Sequence, residues 1–104
     1  MQTVRQGDVM LIPASVPATA TETPRQQDGS IVLAFGEVTG HAHRVIEATA
    51  TLLTDTDARF LRIVGSGASV IHEEHARIAI APGEYRVVIG REWADDIGIR
   101  QVVD

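Results

Sequence analysis

The chain has four histidines, and they fall into two tight clusters, Gly40-His41-Ala42-His43 and His72-Glu73-Glu74-His75. Histidine is the commonest metal ligand and the one side chain that ordinarily titrates near neutral pH. Two pairs, spaced i,i+2 and i,i+3 with two carboxylates inside the second, have the composition of a metal site or a proton-transfer site. The chain contains no cysteine, so a metal here must be bound through nitrogen and oxygen. Such donors suit a divalent ion such as Zn, Fe, Mn or Ni and do not choose among them.

Side chains on a strand alternate between faces, so a strand through the first cluster puts His41, His43, Val45 and Glu47 on one side. His41 and His43 would then stand roughly 6.5–7 Å apart at Cα, close enough for both rings to reach one ion. Glu47 joins them if the strand stays regular. On one continuous strand His72 and His75 would face opposite ways. A tight hairpin with Glu73-Glu74 at its tip would make them cross-strand neighbours, and a single helical turn would also put both on one face. Either arrangement leaves Glu73 or Glu74 as ligand, outer partner or general base to a metal-bound water. The candidate ligands are therefore His41, His43, His72, His75 and Glu47, and the candidate catalytic carboxylates are Glu73 and Glu74. Taken singly, a His-x-His pair on an exposed strand often binds nothing, and His-Glu-Glu-His can be a solvated turn. Together the two clusters point to a site, because there is no stray histidine and each cluster has acidic company.

The rest of the chain must position these side chains, and its pattern is period 2 punctuated by turns. Strands are expected at Asp8–Ile12, Ser30–Phe35, Ala42–Glu47, Leu52–Leu53, Arg59–Val64, Ser69–His72, Arg77–Ala81 and Tyr85–Ile89, with Pro82-Gly83 turning into the last. Residues 14–29, with two prolines and many polar side chains, read as a long polar loop and the least ordered segment. In the stretch Trp93–Asp104, Asp95-Asp96 would cap a helix but Gly98 and the β-branched residues favour a strand; Tyr85 and Trp93 read as core or half-core residues, with Trp93 the weaker candidate for a pocket wall. The expectation is a single all-β domain over residues 1–104, an antiparallel β-sandwich or open barrel of about seven to nine strands.

Composition removes several function classes. A net charge of −5 gives no basic footprint for nucleic acid or an anionic membrane. All nine basic residues are arginine, and 44% hydrophobic with 22% charged residues is ordinary for a globular domain. There is no Ser/His/Asp spacing, phosphate-cradling glycine loop, signal-like segment or long apolar run. A cytoplasmic protein acting on a small molecule through a metal is the reading these features favour. The alternative is a non-enzymatic structural or partner-binding module with its histidines at an exposed edge. Assembly into a homo-oligomer is compatible with both.

His41-Ala-His43-Arg-Val-Ile-Glu47 has the spacing H-x-H-x-x-x-E, preceded by Gly40, and resembles the first metal motif of the cupins. Cupins are small β-barrels in which two histidines, a glutamate and a further histidine hold Fe, Mn, Zn or Ni. The resemblance implies His41, His43 and Glu47 as ligands and a histidine of the second cluster as the fourth. The usual second cupin motif, G-x5-P-x-G-x2-H-x3-N, does not follow His43. Gly7–Pro13 carries only its G-x5-P opening, and lies ahead of the first motif. The phrases Gln6-Gly-Asp-Val, Gly36-Glu-Val-Thr-Gly-His-Ala-His-Arg44, His72-Glu-Glu-His75 and Pro82-Gly-Glu-Tyr are also similar to a group of small bacterial and phage proteins of unassigned function.

Overall fold

A computed structural model describes residues 2–36 and 38–90. Its named elements are ten β-strands: β1 (Val4–Gln6), β2 (Val9–Pro13), β3 (Thr21–Glu22), β4 (Ile31–Phe35), β5 (Ala42–Val45), β6 (Ala50–Asp55), β7 (Ala58–Ile63), β8 (Ala68–Val70), β9 (Ile78–Ile80) and β10 (Gly83–Ile89). The fold is all-β and every strand pairing is antiparallel. Six strands form a sheet in the order β1-β2-β10-β7-β6-β3, which does not close into a barrel. The other four make two ribbons, β4-β5 and β8-β9. A pair of backbone bonds between Arg44 and Ile71, each 2.9 Å, ties β5 to the segment leaving β8.

The period-2 residues supply one buried cluster. Val9 and Leu11 of β2, Leu61 and Ile63 of β7, and Tyr85 and Val87 of β10 meet Ile31 and Leu33 of β4, Val45 of β5, Val70 of β8 and Ile80 of β9. Tyr85 carries the only hydroxyl in this cluster, and its OH donates to Ala81 O at 2.7 Å. That bond removes the cost of burying a polar group without a partner.

The ten strands include two short ones beyond the eight stretches expected. Val4-Arg5-Gln6 has too few residues to show alternation, yet pairs Val4↔Leu11 and Gln6↔Val9. Between the strands lies the two-residue turn Gly7-Asp8, with Gly7 at φ 57°, the value a type II′ hairpin asks of its first central residue. The second addition lies within residues 14–29, the stretch read from the sequence as a long polar loop, most of which is outside any strand. β3 lies inside that segment and pairs Thr21↔Thr54 and Glu22↔Leu53. Past it, Thr23 N–H donates to Leu52 O at 2.8 Å, and the Arg25 guanidinium reaches the carbonyls of Gly29, Glu47 and Ala50, each at 2.7 Å. Polar composition concealed a segment tied down through its backbone and one arginine. The stretch Trp93–Asp104 lies outside the described residues, and among those described no helix is long and apolar enough to cross a membrane.

Candidate metal centre

β4 and β5 bring the first cluster into place through a bulge. Pairing slips between Val32↔Arg44 and Ala34↔His43, leaving the buried Leu33 as the extra residue. Bulges re-aim side chains, and here His43 shares a face with the core residue Val45 and is fully buried. His41 precedes the strand in a turn, its N–H donating to Val38 O at 3.0 Å and its carbonyl accepting from Gly36 N at 2.8 Å. Gly36 matters because a Cβ there would lie 3.0 Å from His72 Nε2 and 3.2 Å from His41 Cβ. A side chain at that position would crowd the His72 ring and the His41 Cβ, which would have to give by a few tenths of an ångström.

The second cluster is neither a two-residue hairpin nor a helical turn. β8 and β9 pair Val70↔Ile78, so residues 71–77 form a seven-residue loop with His72 and His75 inside it. Glu-Glu is poor chemistry for a primed turn, and the longer loop avoids asking for one. Glu73 fastens this loop to β5. Its Oε1 accepts from Ala42 N at 3.0 Å and its Oε2 from Arg44 Nη1 at 2.9 Å.

The loop lays the second pair of histidines against the first. Ring centroids are 4.4 Å apart for His43–His72, 4.6 Å for His72–His75, 5.5 Å for His43–His75 and 5.8 Å for His41–His72. His43, His72 and His75 each offer a ligand atom within 4.8 Å of the other two, and so do His41, His72 and Glu73. Donors on one tetrahedral ion stand about 3.4 Å apart, so binding would draw these rings closer together. These groups could hold a metal ion.

Hydrogen bonds fix which nitrogens are available. Gln6, 4% exposed, donates both amide hydrogens, to Val70 O at 3.0 Å and Ala76 O at 2.9 Å. Its Oε1 therefore faces His43 Nδ1, at 2.8 Å, as an acceptor. Nδ1 must carry the proton, which leaves Nε2 with its lone pair toward the cluster, the outer-partner arrangement that orients metal-binding histidines. Asp8 Oδ1 lies 3.5 Å from that Nε2. His72 is set the other way: its Nδ1 accepts from Glu74 N at 3.0 Å, placing the neutral ring's proton on Nε2, which is buried without a hydrogen-bond partner. Loading Nε2 with an ion requires a tautomer change and release of the Glu74 amide, so residues 72–75 are the part that must move. His41 Nδ1 lies 3.4 Å from Glu74 Oε1.

Glu47 stands apart from both groups. β5 ends at Val45, so the regular strand needed to align Glu47 with the histidines stops short. Its Oε2 accepts from Ser69 Oγ at 2.7 Å and pairs with Arg77 at 3.3 Å. Burial pushes this carboxyl up, but the bonds from Ser69 and the charge of Arg77 outweigh it and hold Glu47 below its ordinary range. Gln6 and Asp8 were not among the sequence candidates. The signal that could have found them is Gly7-Asp8 as a two-residue hairpin turn, which folds Gln6 and Asp8 back beside the next strand.

Glu73 is held at about 2, first by the Ala42 amide, next by its own backbone amide and then, against some desolvation, by Arg44. A depressed carboxyl pKa stabilises the folded state above the ordinary value near 4.5, and that contribution is lost as pH falls through about 2. A carboxyl-carbon NMR titration should give Glu73 a midpoint near 2, and Arg44→Gln should raise it only part of the way because the Ala42 amide remains. A wild-type midpoint above 4 would contradict this clamp. Glu73 has both oxygens engaged in fastening the loop, and of the two candidate bases Glu74, 61% exposed, keeps the freer carboxylate.

The family described as a domain of unknown function, DUF8820, matches residues 5–90, a span that takes in both histidine clusters with Gln6 and Asp8. The chain belongs to the DUF8820 family. No curated protein and no solved structure matches it. The family match carries no cupin assignment.

Proposed function

We propose that this DUF8820 chain is a metal-binding β-domain, with a divalent ion held by His43, His72 and His75, assisted by His41, and an open position for a small molecule. The observation that carries the reading is the convergence of the three rings within ligand distance around a His43 whose Nε2 lone pair is fixed by Gln6. Such an ion would supply Lewis acidity toward a bound water or a chelating carboxylate or enediol group. The chain's own part is to bring the imidazoles together. Arg44, Ile71, His72 and Glu73 line an open depression of about 210 Å³ beside the cluster, room for a small ligand next to His72.

Titration of untagged protein with Zn, Mn, Ni or Fe(II), followed by calorimetry and thermal unfolding, tests this reading. Binding of one ion per chain is expected, and at about 100 times Kd it should stabilise the fold by about 2.7 kcal/mol. For a domain of this size that is roughly 10–20 °C in Tm. His75→Ala, at a partly exposed loop position, should abolish the shift and leave the apo Tm nearly unchanged. Absence of saturable binding by all four metals would overturn the reading and favour the partner-binding module.

A further inference from the structure

We infer that Asp8 supplies a fourth protein ligand to the ion, making the set His43, His72, His75 and Asp8, so that a small molecule enters by adding a fifth position or by displacing Asp8; this rests on the metal-binding reading above. Because Gln6 occupies His43 Nδ1, any ion on His43 must sit at Nε2, the atom Asp8 Oδ1 approaches to 3.5 Å. Donors at about 2.1 Å from a shared tetrahedral ion are about 3.4 Å apart, so this separation already matches that of two ligands on one metal. A lone pair and a carboxylate oxygen facing each other at this distance repel, and a cation held between them turns that repulsion into attraction.

Asp8 is the carboxylate set against His43 Nε2, and the others near the cluster have these contacts. Glu73 has both oxygens bonded, Glu47 is tied to Ser69 and Arg77, and Glu74 lies against His41 on the exposed side. Charge points the same way. Three neutral imidazoles leave a divalent ion at +2 beside the buried His43, and one carboxylate halves that charge in a poorly solvated place. Asp8 stands at the β1–β2 turn against His43, and its carboxylate would have to turn from there toward His72 and His75 to share their ion. Two residues of one short hairpin then act on the same ring: Gln6 sets its tautomer and Asp8 shares its metal.

The experiment compares wild type, Asp8→Asn and Asp8→Glu with two probes: Zn(II) in competition with a chromogenic chelator, and Mn(II) by water-proton relaxation. Asp8→Asn should weaken Zn(II) by more than about 100-fold, above the 10–100-fold usual for outer-shell partners. It should also raise Mn(II) relaxivity, because a water takes the place of the carboxylate, while Asp8→Glu recovers part of the affinity. Apo unfolding of each variant shows whether the hairpin still forms, and a misfolded Asp8→Asn passes the decision to the relaxivity of Asp8→Glu, which must match wild type. Wild type that binds no metal overturns the metal reading itself. Wild type that binds while Asp8→Asn binds equally well, or more weakly with unchanged relaxivity, leaves the metal reading standing and overturns Asp8 as a ligand; an Asp8 that only pairs with protonated His43 gives that result.

Discussion

His43→Ala is expected to abolish metal-dependent stabilisation and to lower the stability of the metal-free fold by about 2–4 kcal/mol. Two costs combine. The ring is fully buried, so its removal leaves a cavity beside Val45 that the packed strands can only partly close. It also strips Gln6 Oε1 of its donor in a place that water does not reach, and an unsatisfied buried acceptor costs about 1–3 kcal/mol. Against a typical total of about 5–15 kcal/mol this is a large fraction, so the variant should show early thermal unfolding with or without zinc. Urea unfolding of His43→Ala and His75→Ala, each with and without Zn(II), separates the two roles. Both should lose the zinc effect, but only His43→Ala should lose apo stability. Equal apo stability in the two would mean that His43 does not support the core.

Much of the fold could be read from the sequence because its main determinant is local. Period-2 alternation marks β2, β4, β7 and β10, where the inward residues Val9, Leu11, Leu33, Leu61 and Val87 are buried. What escaped is what does not show in alternation. β1 and β3 are three and two residues long, and their backbone pairing is decided by the neighbouring strand and not by their own side chains. The site divides the same way. Residue type and clustering were enough to nominate the four histidines, and the structure brings their rings together. Their geometry was not legible, because β5 stops at Val45 and the 72–75 segment sits in a loop whose course is set by Glu73 reaching Ala42 and Arg44, 31 and 29 residues back. Glu47 had the right spacing for a ligand, and long-range partners, Ser69 and Arg77, now hold it elsewhere.

Gln6 is the sharpest case of a residue whose role exists only in three dimensions, and Gln6→Met should expose it. Methionine keeps the length and fills the space but can neither donate to Val70 O and Ala76 O nor accept from His43 Nδ1. Three bonds at about 0.5–1.5 kcal/mol each put the expected loss of stability at about 2–4 kcal/mol. A second effect falls on the site. Without an acceptor at Nδ1 the His43 ring is free to place its proton on either nitrogen, so part of the population presents Nε2–H where a ligand lone pair is needed. Zn(II) affinity should fall about 10–100-fold, the range of an outer partner and less than the loss expected at Asp8. Nitrogen-15 NMR of the imidazoles gives a readout that unfolding alone cannot imitate: wild-type His43 should show a protonated Nδ1 and a bare Nε2, and Gln6→Met a mixture. If the variant keeps the wild-type tautomer and full zinc affinity, Gln6 is only a strut between β1 and the 71–77 loop. If the tautomer and the affinity shift together, the β1–β2 hairpin prepares the ring for the ion.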